Sequence, residues 1–255
     1  MNFASSFAIF KLAKYVHLYW LMRYQLFLLL VIALNINILA QKEIAYPEAF
    51  EVFDFYVGHT NAGVFDGVEY YEKYPVRNNK HKFFSSPNFQ LGALIYKNEP
   101  YFQVPLKYDV YDDVLLARNP AVRTTSITAL DSEKIRSFSI DSYRFIRLTE
   151  SSEKGEELTG FFEILFEKND LILLKKHRKK MFKKTENGVY YEFKDIPWYV
   201  VAYNGVYIRL KNESSLFDLF PNSKELIRNY SRSNSTLKEE NYDLFLVSLF
   251  RELTN

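Results

Sequence analysis

The sequence predicts a mainly β domain: an antiparallel meander forming an open barrel, half-barrel or roll, with two C-terminal helices packed on it. Three observations predict it. Apolar and polar residues alternate with period two through most of the chain up to about residue 211. Short turn-forming pairs punctuate those runs at close spacing. A helical period appears only after Pro221. Composition agrees, since 20 Tyr and 23 Phe against 8 Gly suit packed, pleated strands better than disorder.

Residues 1–40 stand apart from that domain. Arg23 is followed by the apolar run Leu26–Leu34, then by Ala40 and the polar Gln41-Lys42-Glu43, the layout of a secretory signal peptide. Met22 immediately precedes Arg23, so translation from Met22 gives a signal of ordinary length. The apolar run ends where Asn35 and Asn37 intrude. A membrane-spanning helix needs ~20 predominantly apolar residues, so cleavage after Ala40 is expected rather than anchoring. The mature domain is then 41–255, exported to the periplasm or beyond. The chain has no cysteine, so neither a disulfide nor a lipid-bearing cysteine is available and the fold must rest on its core.

The strands follow in order. Gly92–Tyr96 and Tyr101-Phe102 flank a hairpin-like turn at 97–100. In Val104–Val110, the residues Val104, Leu106, Tyr108 and Val110 share one face; Pro105, which cannot donate to a ladder, predicts a strand near an edge. Tyr111-Asp112-Asp113 turns the chain into Val114–Ala117. The pairs Ile135–Ile140 with Tyr143–Leu148, Phe161–Phe166 with Leu171–Leu174, and Pro197–Tyr203 with Val206–Leu210 repeat the pattern. The last pair is joined by Asn204-Gly205, the chemistry of a type I′ turn. At the C-terminus a short helix is expected over about 223–230. A second is expected over 236–253, opened by a capping box from Thr236 to Glu239 and carrying Tyr242, Phe245, Leu246, Leu249 and Leu253 on one stripe.

Charge excludes some functions. The first 40 residues hold Lys11, Lys14 and Arg23 and no acid, which leaves 41–255 near neutrality within a chain of 33 basic and 31 acidic residues. A dedicated nucleic-acid binder, whose affinity rests on many phosphate contacts, is not expected. There is no Gly-rich phosphate loop, no Gly-x-Ser-x-Gly elbow and no paired His at metal spacing, so neither cofactor nor metal is predicted. His59, His81 and His177 are isolated in sequence.

What remains is a short set of candidates. Asp109, Asp112 and Asp113 cluster at a strand end, where carboxylates could hold a cation or serve acid–base chemistry; turn formation is the commoner role. Tyr108, Asp109 and Asp112, with Trp198 and Tyr203, whose rings could line a sugar or lipid groove, form the candidate binding set. The run Lys175, Lys176, Arg178, Lys179, Lys180 is the candidate contact for anionic headgroups or acidic glycans, its bland alternative being a solvated strand guarded by lysines.

One resemblance carries information. Asp66-Gly-Val-Glu-Tyr70, Gly92-Ala-Leu-Ile-Tyr96, Val104-Pro-Leu-Lys-Tyr-Asp109 and Gly160-Phe-Phe-Glu163 resemble motifs of an uncharacterised group of secreted β-rich proteins common in Bacteroidota. In that group Gly-Phe-Tyr-Glu stands where this chain has Phe162. The resemblance spans most of 61–255, implies export from a Gram-negative cell and one β-rich domain, and transfers no catalytic residue. The expected function is that of a non-enzymatic envelope protein binding an apolar or glycan ligand or a partner protein. The alternative is a carboxylate-dependent hydrolase of envelope polymers.

Overall fold

The computed structural model describes Arg23, residues 63–119 and residues 126–254. The expected signal peptide and the start of the expected mature domain therefore lie outside the described residues, apart from Arg23. Among the described residues no helix is long and apolar enough to cross a membrane.

The strands are β1 (Val68–Glu69), β2 (Gln90–Tyr96), β3 (Glu99–Asp109), β4 (Val114–Arg118), β5 (Ile127–Ala129), β6 (Ile135–Ile140), β7 (Tyr143–Ser151), β8 (Glu157–Lys168), β9 (Leu171–Lys176), β10 (Lys179–Lys184), β11 (Tyr190–Asp195), β12 (Trp198–Tyr203) and β13 (Val206–Leu210). Eleven form one antiparallel sheet in the order β1-β5-β4-β3-β2-β6-β7-β8-β9-β12-β13, and β10 and β11 form a separate two-stranded ribbon. The large sheet does not close. Hairpins run outward from β2 through β3, β4 and β5. The chain then returns to place β6 on the other side of β2, and a second meander continues to β9.

Turn chemistry sets these registers. Asn204 and Gly205 take φ of 49° and 78°, and Tyr203 pairs with Val206, as a type I′ hairpin requires. Lys97 and Asn98 also take positive φ, so the first hairpin turns in two residues and Glu99-Pro100 belong to β3. Pro105 does not mark an edge, because β3 lies between β2 and β4. The ladder to β4 covers only Leu106–Asp109, so Pro105 stands just outside it and its missing N–H leaves that ladder intact.

The sheet curls until β3 faces β6, β7 and β8. Tyr108 meets Phe138, Phe145 and Phe161 edge-on, at ring-centroid distances of 5.5, 5.5 and 5.9 Å. Phe138 stacks on Phe145 at 4.6 Å. The interior of the curl is thus a solid aromatic core, with Tyr108 and Phe161 both wholly buried.

A second core lies under the C-terminal helices, α1 (Lys224–Ser233), α2 (Ser235–Glu240) and α3 (Tyr242–Leu253). Phe245, Leu246, Leu249 and Phe250 of α3 pack with Ile227 of α1 onto Leu173, Tyr199 and Val201. Each such apolar side chain contributes roughly 1.5–3 kcal/mol on burial. The expected helix 236–253 is broken at Asn241, and the capping box does not form, because Thr236 already lies inside α2. Asn241 caps α3 instead, its side-chain oxygen accepting from Leu244 N–H at 3.0 Å.

Gly160 marks where the loop after β3 docks onto β8 and β9. It has a φ of +94°, and a Cβ there would overlap the Asp113 carboxylate and crowd Lys176 Nζ. Gly160→Ala is expected to destabilise the fold by about 1–3 kcal/mol, read as a lower urea midpoint with an unchanged slope. Gly155 also has positive φ but faces open space, so Gly155→Ala should pay the backbone strain without the clash and cost less.

Candidate functional site

The chemistry concentrates around residues 70–84, which carry little regular structure yet join two β units. On one side Phe83 bridges Asp109, with Phe84 N–H donating to Tyr108 O at 2.9 Å and Val110 N–H to Lys82 O at 3.1 Å. On the other, Tyr191 N–H donates to Pro75 O at 2.8 Å and Phe193 N–H to Lys80 O at 3.0 Å. The segment therefore fastens the β10–β11 ribbon to the end of β3.

Lys82 is the fastener. Its side chain is 1% exposed, and Nζ lies 2.7 Å from Asp109 Oδ2, with Asp112 at 3.3 Å and Glu72 at 3.4 Å. The Tyr70 and Tyr74 rings flank the ammonium at 5.3 and 5.1 Å. Burial works against this charge, but hydrogen bonds with Asp109 and Tyr70 and the nearby carboxylates outweigh it and hold Lys82 above the usual lysine range. Asp109, wholly buried, also accepts from Tyr111 N–H at 3.1 Å, Asp112 N–H at 3.2 Å and Tyr70 Oη at 3.2 Å.

A second ion pair repeats the motif next door. Asp113, with φ of 57°, accepts from Tyr108 Oη at 2.5 Å and from Lys176 Nζ at 2.6 Å. Burial pushes the Lys176 ammonium down and Asp113 opposes that shift.

Beside these locks opens a cleft of about 450 Å³, within the range of small-molecule sites. Lys80, His81, Lys175, His177, Lys179 and Asp195 line it, and Phe84 and Phe193 form apolar walls. Lys179 Nζ donates to His81 O at 2.9 Å and lies 3.6 Å from Asp195. His177 Nε2 is held by the Glu163 carboxylate at 2.5 Å, and its ring stands edge-on to Phe84. Lys175 pairs with Asp243 of α3, which also accepts from Tyr199 Oη at 2.7 Å. Burial, reinforced by the Lys179 charge, lowers the pKa of His81.

The sequence-derived candidates scatter. Tyr108, Asp109 and Asp112 come together, but as part of the locks: Asp109 and Asp112 share one lysine and leave no free carboxylate pair. Trp198 and Tyr203 sit at opposite ends of β12 on opposite faces. Trp198 packs near Phe162 under Arg209, and Tyr203 lies against Phe220. The basic run divides at His177-Arg178 between two sheets. Lys175 and Lys176 end β9 and are ion-paired inward, Lys179 turns into the cleft, and Arg178 and Lys180 face solvent. Asp113, expected with Asp109 and Asp112 as a strand-end carboxylate, is tied up by Tyr108 and Lys176. Lys82, Glu163 and Asp195 carry no signal of a site in the sequence, because a lone Lys before Phe83-Phe84 or a Glu inside a strand has no telling spacing. Among the described residues no group of three or more His, Cys, Asp or Glu is placed to hold a metal ion.

Comparison with protein families, with characterised proteins and with solved structures finds no match to this chain.

Two outcomes follow from this geometry. Lys82→Met leaves Asp109 buried without its cation and is expected to cost about 3–5 kcal/mol. Lys82→Met combined with Asp109→Asn should recover part of that loss in a double-mutant denaturation cycle. Because the folded-state pKa of His81 is depressed, the unfolded chain takes up a proton that the native state resists. Stability is therefore lost as pH falls from about 6.5 towards the folded value. His81→Gln should give a shallower fall of melting temperature between neutral and mildly acid pH.

Proposed function

We propose that this chain is an exported, non-enzymatic binding protein that takes an acidic glycan in the cleft beside β9 and the β10–β11 ribbon. The lining of that cleft carries the reading. Lys80, Lys175 and Lys179 with His81 and His177 converge there, and Asp195 is the carboxylate among them. Glu192 and Asp243, the acids paired with Lys80 and Lys175, are not part of the lining. A carboxylate ligand meets positive potential in such a site, while Asp195 and Ser85 offer hydroxyl partners and Phe84 and Phe193 offer an apolar wall for a sugar's C–H face. An apolar cargo finds less support, since the curl is filled by Tyr108, Phe138, Phe145 and Phe161. Hydrolysis by Asp109 and Asp112 also finds less, since both carboxylates are held by Lys82.

Isothermal titration with digalacturonate, with cellobiose as the neutral sugar and inorganic phosphate as the small anion, tests the proposal. The expected result is binding of digalacturonate alone, weakened roughly tenfold by Lys179→Gln through loss of a charge-assisted hydrogen bond. Binding of cellobiose or phosphate in place of the acidic sugar, or affinity indifferent to Lys179→Gln, would overturn it.

A further inference from the structure

The β10–β11 ribbon has a face that the cleft does not use. Pairing sets Lys180 opposite Lys194, Phe182 opposite Glu192 and Lys184 opposite Tyr190, so these side chains share one face. The ribbon's base adds Arg178 and Ile196, joined by a backbone hydrogen bond of 2.8 Å. Phe182 is 39% exposed and Ile196 41%, and Arg178, Lys180 and Lys194 are exposed around them. Among the described residues the face carries one acid, Glu192, and it is paired with Lys80 at 2.9 Å. The Lys180 ammonium lies 5.5 Å from the Phe182 ring centre, so charge and apolar surface are contiguous.

We propose that this face is a peripheral docking surface for an anionic lipid bilayer. Charge complementarity selects the sign of the partner: Arg178, Lys180 and Lys194 project from a chain whose residues 41–255 are close to neutral. The exposed apolar residues select its class. A bilayer interface accepts Phe182 and Ile196 below the headgroups while the long basic side chains reach the phosphates, whereas a polysaccharide or nucleic acid offers no medium for an isolated isoleucine. Each basic residue near an anionic membrane surface adds to the attraction, and salt screens it. The face points away from the Lys82 lock, because the same ribbon places Phe193 and Asp195 on its inner side.

Co-sedimentation of the full chain with phosphatidylglycerol–phosphatidylcholine vesicles tests this, using wild type, Phe182→Ser and the double variant Lys180→Glu with Lys194→Glu. All three share the apolar residues 26–34, so differences among them report the ribbon. The charge-reversal variant is expected to partition more than roughly tenfold more weakly. Phe182→Ser should lose severalfold, and wild-type binding should fall with salt and vanish on pure phosphatidylcholine. Equal partitioning of the three proteins would overturn the proposal. So would binding unaffected by Phe182→Ser, or capture by dextran sulfate without any preference for anionic vesicles. Unchanged thermal melting of both variants establishes that any loss lies at the surface and not in the fold.

Discussion

The buried contact between Lys82 and Asp109 is the constraint on which the rest of the arrangement hangs. Isolated, either charge would be costly to remove from water. Together they are satisfied by a dense set of partners: two backbone N–H groups, the Tyr70 hydroxyl, and the outlying carboxylates of Asp112 and Glu72. The consequence is positional. Residues 70–84 have no long ladder of their own, and Lys82 ties them to the end of β3, where the chain must also turn. The same segment receives β11 on its other side, so the ribbon's place beside the sheet follows from this ion pair and its flanking backbone bonds.

From that placement the charge distribution follows. Residues 41–255 carry nearly balanced charge, yet the fold sorts its ions into layers. Pairs that build the structure, Lys82 with Asp109 and Lys176 with Asp113, lie inside. Contacts of His177, Lys175 and Lys179 shape the cleft, Asp195 within its lining and Glu163 and Asp243 outside it. Arg178, Lys180 and Lys194, which have no acidic partner among the described residues, look outward beside Phe182 and Ile196. One short basic run thus supplies structural, cleft-lining and outward-facing side chains. The division is set where β9 ends and the ribbon begins.

Much of the fold was legible because its signals are local. Alternation marked the strands, Asn204-Gly205 fixed a hairpin, and the stripe of Phe245, Leu246 and Leu249 marked the last helix. The misreadings arose where a distant partner decides. Pro105 looked like an edge residue because sequence does not show that β4 stops pairing at Leu106. Thr236 looked like a cap because the preceding turn, where the Asn234 side chain donates to Tyr230 O, is invisible in a four-residue motif. The cleft was least legible. Its members come from 79–85, from β9 and from the ribbon, and converge only through the curl of the sheet. Asp109 was noticed for its chemistry, but its partner Lys82 lies 27 positions earlier with no pattern linking the two. A carboxylate that could have been a catalyst is instead a structural counter-ion.

The most direct test of this account is the titration of Lys82 itself, followed by NMR of lysine side chains labelled at Cε and Nζ. An ammonium held by Asp109 and Tyr70 should remain protonated after the exposed lysines have lost their charge near their ordinary value of about 10.4. It should also show slowed proton exchange. A Lys82 that deprotonates before the exposed lysines would mean that burial, not the ion pair, dominates its environment, and the fastening of residues 70–84 would need another cause.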